Sequence, residues 1–348
     1  MRVVVTGATG NVGTSVLSAL ARDPAVEEIV GIARRLPGGS HPRTRWVQAD
    51  IVTSPLEDVF AGADAVIHLA WLIQPSRDAA MLRAVNVDGS RRVFEAAARA
   101  GVGALVHASS VGVYSPGPDD RPVDESWPRD GIPTSFYSRH KAEAERLLDA
   151  FEDRMRVVRL RPALIFKREA AAEIRRYFIG PLLPSPLVHP RLIPLLPLPD
   201  HLVLQAVHSY DVGEAYRLAA TRADARGAYN IAADPVLDGA TLGRLLGARP
   251  VRLPARLVRA AADLTWRAGL QPTPPGWLDM GLQVPTLDSR RARDELGWTP
   301  RYDAGQALLE LLDGLRRSDG LPTPPLEPHA GGRLRHREFP PGAARSAT

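Results

Sequence analysis

Short apolar runs and longer stretches with helical periodicity alternate through the first 160 residues. The apolar runs fall at 2–6, 28–33, 45–48, 64–70, 103–109 and 156–161, and most are rich in Val, Ile and Ala. Runs of this kind suit strands covered on both faces. Helices are predicted between them at 11–22, 56–61, 77–100 and 135–152. The stretch from Asp88 to Ala100 stops at Gly101, a good helix terminator. Alternation of strand and helix implies right-handed crossovers and a doubly wound parallel α/β sheet of the Rossmann kind.

After residue 162 the rhythm breaks. Residues 181–199 hold seven prolines (Pro181, Pro184, Pro186, Pro190, Pro194, Pro197 and Pro199) set mostly among apolar residues. Proline at this density excludes helix and central strand, and the segment reads as a lid, a hydrophobic wall for substrate or a plain surface connection. Helix returns at 211–222, a short strand at 228–231, then helices at 239–247, 254–268, 288–296 and 303–316. The expected division is a dinucleotide-type domain of residues 1–162 plus about 203–235. A smaller, mostly helical substrate lobe takes 163–202 plus 236–316. From 317 onward Pro, Gly and Arg dominate, and a disordered tail is expected.

Composition narrows the class. The 348 residues contain no cysteine, which excludes a disulfide framework and thiolate metal sites. The histidines are scattered without ligand spacing, so no metal is expected. The net charge of +5 comes from dispersed arginines with no basic run, so nucleic-acid binding is not expected. No apolar run reaches the roughly 18 residues of a membrane span. No signal-peptide pattern precedes the first strand, and a cytoplasmic enzyme is the expectation.

The chemistry begins where the first strand meets the first helix, in Thr6-Gly7-Ala8-Thr9-Gly10-Asn11-Val12-Gly13. Gly7 allows a sharp turn, Gly10 lets backbone approach a pyrophosphate, and Gly13 lets the helix lie close to the strand. The helix N-terminus presents free N–H groups and the positive end of its dipole to phosphates. Thr9, Asn11 and Val12 belong to the same expected cofactor contact. At the end of the second strand stand Arg34 and Arg35, where NAD-binding proteins usually carry an acid. A guanidinium fork suits a 2′-phosphate, so NADP is expected ahead of NAD. Asp50, followed by Ile51, either accepts from the adenine amino group or caps the next turn.

Only two of the 44 basic residues are lysine, and one of them, Lys141, follows Tyr137 by four positions. Residues four apart on a helix share a face, which would set a compact ammonium beside a phenol and favour phenolate. A tyrosine tuned this way can serve as a general acid or base.

Together these motifs resemble the extended branch of the short-chain dehydrogenase/reductase superfamily, which includes the NAD(P)-dependent epimerase/dehydratase proteins. The resemblance covers most of 1–302. It includes the glycine spacing, His68-Leu69-Ala70, Asn86-Val87-Asp88-Gly89-Ser90, Ser109-Ser110-Val111-Gly112-Val113-Tyr114 and the Tyr137/Lys141 pair. Arg161-Pro162, Ala228-Tyr229-Asn230-Ile231 and Glu295-Leu296-Gly297-Trp298-Thr299-Pro300 complete it. It implies that Tyr137 is the acid/base on a substrate hydroxyl or carbonyl. Lys141 would lower the phenol's pKa and hold the nicotinamide ribose, and Ser110 would hydrogen-bond the substrate oxygen. Ser109 would be structural. Asn86 would position cofactor, Leu69 and Ala70 would line the adenine ribose, and Pro162 would lie beside the nicotinamide. His68, His107 and His208 are read as packing residues. Family members often dimerise through a four-helix bundle, which here would use helices 77–100 and 135–152.

Departures from the family pattern narrow the substrate. The 4,6-dehydratases carry an Asp-Glu pair where this chain has Val111 and Gly112, neither of which moves a proton. Ala163 stands where many sugar-nucleotide members place an Asn. Lys167, Arg168, Arg175 and Arg176 either bind a diphosphate or form exposed helix charges. The sequence reading is therefore hydride transfer between nicotinamide and a secondary alcohol or ketone of a small, fairly apolar molecule. The alternatives are a nucleotide-sugar 4-epimerase with tightly held NAD, and a non-catalytic NADP-binding sensor.

Overall fold

Twelve strands appear in the computed structural model, which describes residues 1–73, 76–118, 121–179, 194–271 and 273–328. Those of the first half are β1 (Arg2–Thr6), β2 (Glu28–Ala33), β3 (Thr44–Gln48), β4 (Ala65–His68), β5 (Ala104–Ala108) and β6 (Arg156–Pro162). There follow β7 (Leu164–Phe166), β8 (Leu195–Pro199), β9 (Val203–His208), β10 (Gly227–Ile231), β11 (Ala233–Asp238) and β12 (Arg249–Leu253). Seven of them make one sheet in the order β10-β6-β5-β4-β1-β2-β3, parallel throughout. The reversal of strand order beside β1 leaves a crevice at the carboxyl ends of β1 and β4, where ligands bind in doubly wound sheets.

Both faces of the sheet are covered, as the unbroken apolar strands require. On one face Val3, Val5, Ile67 and Val106 pack against Val16, Leu17 and Leu20 of the Asn11–Arg22 helix and Val212, Ala215 and Tyr216 of the Ser209–Thr221 helix. On the other, Val4, Val30, Val66 and Leu105 meet Val93, Phe94 and Ala97 of the Ser90–Arg99 helix. Smaller sheets β11-β9-β7 and β12-β8 extend from the C-terminal ends. Of their strands, β8, β11 and β12 contain proline, which hides them from sequence reading. Of the proline-rich stretch, 181–193 lies outside the described residues. Its end forms β8, which among the described residues pairs with β12 alone and so spares its prolines a central position.

Two expectations are corrected. The continuous helix 77–100 is broken into Ala79–Arg83, a π-helical Ala84–Gly89 and Ser90–Arg99. The widened turn holds Asn86, whose side chain bonds both backbone groups of Leu72, and a π-bulge of this type often marks a functional site. The tail beyond 317 is ordered as far as it is described. It folds back so that Leu326 is fully buried and the Thr323 hydroxyl donates to the Thr9 carbonyl at 2.8 Å. Arg176 ties it down through the carbonyls of Pro325 and Glu327.

A buried ionic pair joins the sheet to the Phe136–Asp149 helix. Glu145, fully buried, accepts from Arg161 Nε at 2.9 Å and Nη2 at 2.6 Å, and from the Ser109 hydroxyl. Arg161 Nη1 donates to the Tyr114 hydroxyl at 3.0 Å, which donates to Asn230 Oδ1 at 2.6 Å. Burial pushes the Glu145 carboxyl up, but the bonds from Arg161 and Ser109 hold it below the usual carboxylate value. A carboxyl depressed in the fold stabilises above its unfolded pKa and loses that contribution as pH falls through the folded value. Glu145→Ala strands a buried guanidinium and should cost about 3–5 kcal/mol in urea unfolding at neutral pH. It should also flatten the acid limb of the stability curve; an unchanged acid limb would contradict this. Leu326→Ala should cost about 2–5 kcal/mol, as for a core leucine, whereas a loose tail would leave the urea midpoint unmoved.

Candidate active site

The turn after β1 is shaped by contacts that admit no side chain at two of its glycines. Gly7 has φ of +69°, and a Cβ there would stand 2.7 Å from the Ala70 nitrogen. A Cβ on Gly13 would stand 2.4 Å from the Gly7 oxygen. At Gly10 the nearest atom would be the Gly7 oxygen at 3.6 Å, so nothing in the protein demands a bare backbone there. The helix that follows has no side-chain N-cap bond at Gly10 and no acid in its first turn, which leaves its dipole end suited to an anion. The Glu173 carboxyl lies by the Asn11 backbone at the start of this helix, and burial pushes it up to about 7 against Arg176, Lys167 and that backbone.

The other expected cofactor residues surround this turn. Leu69 donates its amide to the Thr6 carbonyl at 3.1 Å and Ala70 its amide to the Thr6 hydroxyl at 3.3 Å, so both backbones line the turn. Val12 packs on the core beneath, and Asn11 Nδ2 reaches the Ile165 carbonyl at 3.3 Å while its Oδ1 is buried without a partner. Arg34 and Arg35 are exposed just past β2. Asp50 Oδ1 accepts from the Val52 amide at 2.8 Å, a cap on its own turn, with Ile51 buried beside it. Asn86 spends its amide on Leu72, Oδ1 accepting at 2.7 Å and Nδ2 donating at 3.0 Å. Pro162 closes β6 beside Ile231 of β10.

Ser110 lies just beyond β5, and the Phe136–Asp149 helix presents Tyr137 and Lys141 on its buried face. The helix starts at Ser135, whose hydroxyl accepts from the Ser138 amide at 3.3 Å. Ser138 in turn donates to the Gly112 carbonyl, which anchors the helix to the loop carrying Ser110. Burial pushes the Tyr137 phenol up to about 12, while Ser110 beside it opposes the rise. The expectation of a phenol lowered by the neighbouring ammonium is corrected here. Lys141 Nζ instead donates to the Ala108 carbonyl at 2.6 Å and lies 3.5 Å from the centre of the Trp71 ring, against 5.7 Å from that of Tyr137. Burial brings the ammonium down to about 7, with Glu145 opposing. Desolvation thus outweighs the attraction that spacing alone suggested.

The walls around Tyr137 are aromatic. Trp277 lies 4.9 Å away at a 35° tilt and Trp71 meets it edge-on at 6.1 Å. Ile132, Met280 and Phe136 fill in around them. A Cβ on Gly112 would come within 3.2 Å of Tyr137 Cε1 and 3.0 Å of Met280 Sδ, so a side chain there would press on the phenol.

The histidines pack. His68 bridges the hydroxyls of Thr6 and Ser90 and is driven down to about 3 by burial, with Lys141 adding to the effect. His107 is fully buried and likewise held neutral by burial, while His208 accepts from the Tyr210 amide at the helix start and meets Glu310. Sequence reasoning missed Glu145, Trp71, Trp277 and Thr323, which carry no motif. Lys167 lies fully buried under the phosphate turn, neither an exposed helix charge nor out in the substrate lobe. Among the described residues no group of His, Asp and Glu is arranged to hold a metal, and no helix is long and apolar enough to cross a membrane.

Similarity to known proteins points the same way. An uncharacterised protein of Mycobacterium tuberculosis is 26% identical over 92% of this chain, which spans only 31% of that relative's length. A 4-hydroxy-2-methyl-3-oxo-4-farnesyl-3,4-dihydroquinoline-1-oxide ketoreductase of Stigmatella aurantiaca is 28% identical, covering 91% of this chain and 96% of its own. Among solved structures, MoeE5 in complex with UDP-glucuronic acid and NAD superposes with a TM-score of 0.66 at 25% identity, covering 91% of this chain and all of that one. The sequence profile of one family runs through residues 3–232, from β1 to just past β10. The chain belongs to the NAD dependent epimerase/dehydratase family.

Proposed function

We propose that this protein is an NAD(P)-dependent oxidoreductase that moves a hydride between nicotinamide and a secondary alcohol or ketone on an apolar ring-bearing molecule. The observation that carries the reading is the placing of Ser110 beside the buried Tyr137 phenol, whose pKa it lowers against burial, among Trp71, Trp277, Ile132 and Met280. The farnesylated quinoline substrate named for the Stigmatella relative is of that apolar kind. A bound nicotinamide dinucleotide would supply the hydride chemistry. The turn from Gly7 to Gly13, with Leu69 and Ala70, would hold its phosphates and adenine ribose. Ser110 and Tyr137 would both donate to the substrate oxygen as negative charge develops, and Tyr137 would pass the proton. Lys141 would help hold the nicotinamide ribose, and Asn86, by fixing Leu72, would keep the Trp71 loop in place. The aromatic wall excludes water from the reacting bond.

The choice of NADP rests on Arg34 and Arg35, both exposed where an acid would otherwise bind the ribose hydroxyl; the NAD held by MoeE5 stands against it. Titration should show NADPH binding more tightly than NADH, and Arg34→Ala/Arg35→Ala should erase the difference. Equal affinities in the starting protein would remove the NADP assignment.

The UDP-sugar complexes of MoeE5 favour the second reading, a nucleotide-sugar 4-epimerase. Protein purified with stoichiometric NAD and turning over UDP-sugar without added cofactor would establish it. Dimerisation through the 77–100 and 135–152 segments is a further part of the proposal, and a monomer mass in light scattering would remove it.

Tyr137→Phe should reduce kcat by roughly 100- to 10,000-fold, the range of a positioned acid, while dinucleotide affinity stays within about twofold of the starting value. Retained turnover would indicate that another group moves the proton. Gly112→Ala should cost about 1–3 kcal/mol by overpacking and lower kcat/KM, because its methyl pushes on the Tyr137 ring; an unaltered kcat/KM would show that the ring tolerates displacement.

A further inference from the structure

The second of the chain's two lysines has a surrounding that packing alone does not explain. Lys167 is fully buried, and its ammonium donates to the Asn11 carbonyl at 2.8 Å, the Thr14 hydroxyl at 2.7 Å and the Ser15 hydroxyl at 3.1 Å. All three acceptors are neutral and all lie in the first turn of the helix that opens at the phosphate turn. A buried cation with neutral partners is unfavourable, and its place near a helix N-terminus opposes the dipole. Methionine would fill the same space without a charge. Its direct hydrogen-bond acceptors carry no charge, Glu169 and Glu173 act on it only through space, and an anion at the turn it grips would add to them.

Its grip also sets geometry. In a trans peptide the C=O and the following N–H point in opposite directions. Holding the Asn11 carbonyl therefore fixes the direction of the Val12 N–H. Thr323 does the same for the preceding Thr9–Gly10 peptide by donating to the Thr9 carbonyl. The Gly10 amide is thereby kept inside the turn, on the Gly7 carbonyl at 3.2 Å. Three acceptors converging on one nitrogen suit an ammonium; a planar guanidinium fork would not fit them. Burial holds the Lys167 ammonium down at about 8, with Glu169 and Glu173 acting in the opposite sense.

We propose that Lys167 is a dinucleotide-binding residue, one that orients the first helical N–H groups and supplies the positive charge offsetting the diphosphate bound at that turn. The proposal rests on the dinucleotide-binding reading above.

The test uses ADP-ribose, which carries the diphosphate without the nicotinamide, and the full chain. Lys167→Met should weaken ADP-ribose and NADPH binding by about tenfold while the melting temperature of the free protein holds or rises. Calorimetry on the unaltered protein gives an independent readout. A bound diphosphate raises the ammonium's pKa, so at pH 8.5 ADP-ribose should bind with net proton uptake, seen as a buffer-dependent heat. Among the described residues, the other groups acting on Lys167 are Glu169 and Glu173 on its own segment, and Tyr210 from the Ser209–Thr221 helix, whose ring lies 5.6 Å away. Tyr210, pushed up to about 12, stays protonated at this pH. Loss of the uptake in Lys167→Met separates the lysine from Glu173. Unchanged affinity in Lys167→Met, or no proton uptake in the unaltered protein, would overturn the assignment alone. An unaltered protein that binds no dinucleotide would overturn this assignment and the oxidoreductase reading together.

Discussion

The candidate site depends on a carboxylate that never touches it. Glu145 is two helical turns beyond Tyr137 and one beyond Lys141, on the same face. By pairing with Arg161 of β6 and accepting from Ser109 at the end of β5, it fixes the rotation of that helix about its axis. The phenol and the ammonium can then face only the crevice at the strand ends. The same guanidinium reaches Tyr114 and the Glu125 carbonyl, and Asn230 continues the chain of bonds to the carbonyls of Val123 and Asp288. Sheet, helix and the loops that wall the pocket thus share one buried network. Burial works against the charge on Arg161, yet Glu145 raises its pKa overall. A hydrophobic pair of equal volume could serve stability as well; it could not set direction as bidentate bonds do.

That network has a consequence for reactivity. A charge already committed to Arg161 is poorly placed to stabilise Lys141, whose ammonium lies one turn away and falls to about 7 through burial. Tyr137 rises to about 12 for the same reason. Both groups are dry, and dryness strengthens any interaction that a polar substrate oxygen or a ribose hydroxyl would bring. The site therefore has the character of a preorganised donor pair enclosed by aromatic rings, with proton affinity set by solvent exclusion more than by the neighbouring cation.

Much of this was legible in the residues, for identifiable reasons. The strands of the large sheet are apolar on both faces, so their existence and extent survive reading by composition; 2–6, 28–33 and helix 11–22 match the structure residue for residue. The glycine turn is legible because Gly7 and Gly13 are sterically compulsory. Tyr137 and Lys141 share a face as their spacing requires, but spacing does not tell how far a flexible lysine leans. That depends on Trp71 and the Ala108 carbonyl, more than 30 positions away in the chain. Glu145 was illegible because Glu143 and Glu152 look the same in sequence, and only tertiary burial distinguishes it. The order in 318–328 was hidden by a composition of Pro, Gly and Thr, in which a single buried leucine and one hydroxyl do the anchoring.

The scarcity of lysine gains a physical meaning in this light. The chain meets nearly every surface need for positive charge with arginine, which forms bidentate pairs such as Arg83 with Glu143 and Arg259 with Asp279. Its two lysines are both buried, and both donate to backbone carbonyls, Ala108 for Lys141 and Asn11 for Lys167. A guanidinium carries five donors in a plane and would leave most of them unpaired in either place. A compact ammonium fits, at the cost of a lowered pKa that leaves it close to losing its proton. Such a group is stabilised by whatever anion or hydroxyl array arrives beside it. One of these lysines lies beside the phosphate turn and the other beside Ser110 and Tyr137. If a dinucleotide's diphosphate and nicotinamide ribose bind at these two places, as proposed, its binding is linked to the protonation of both ammoniums.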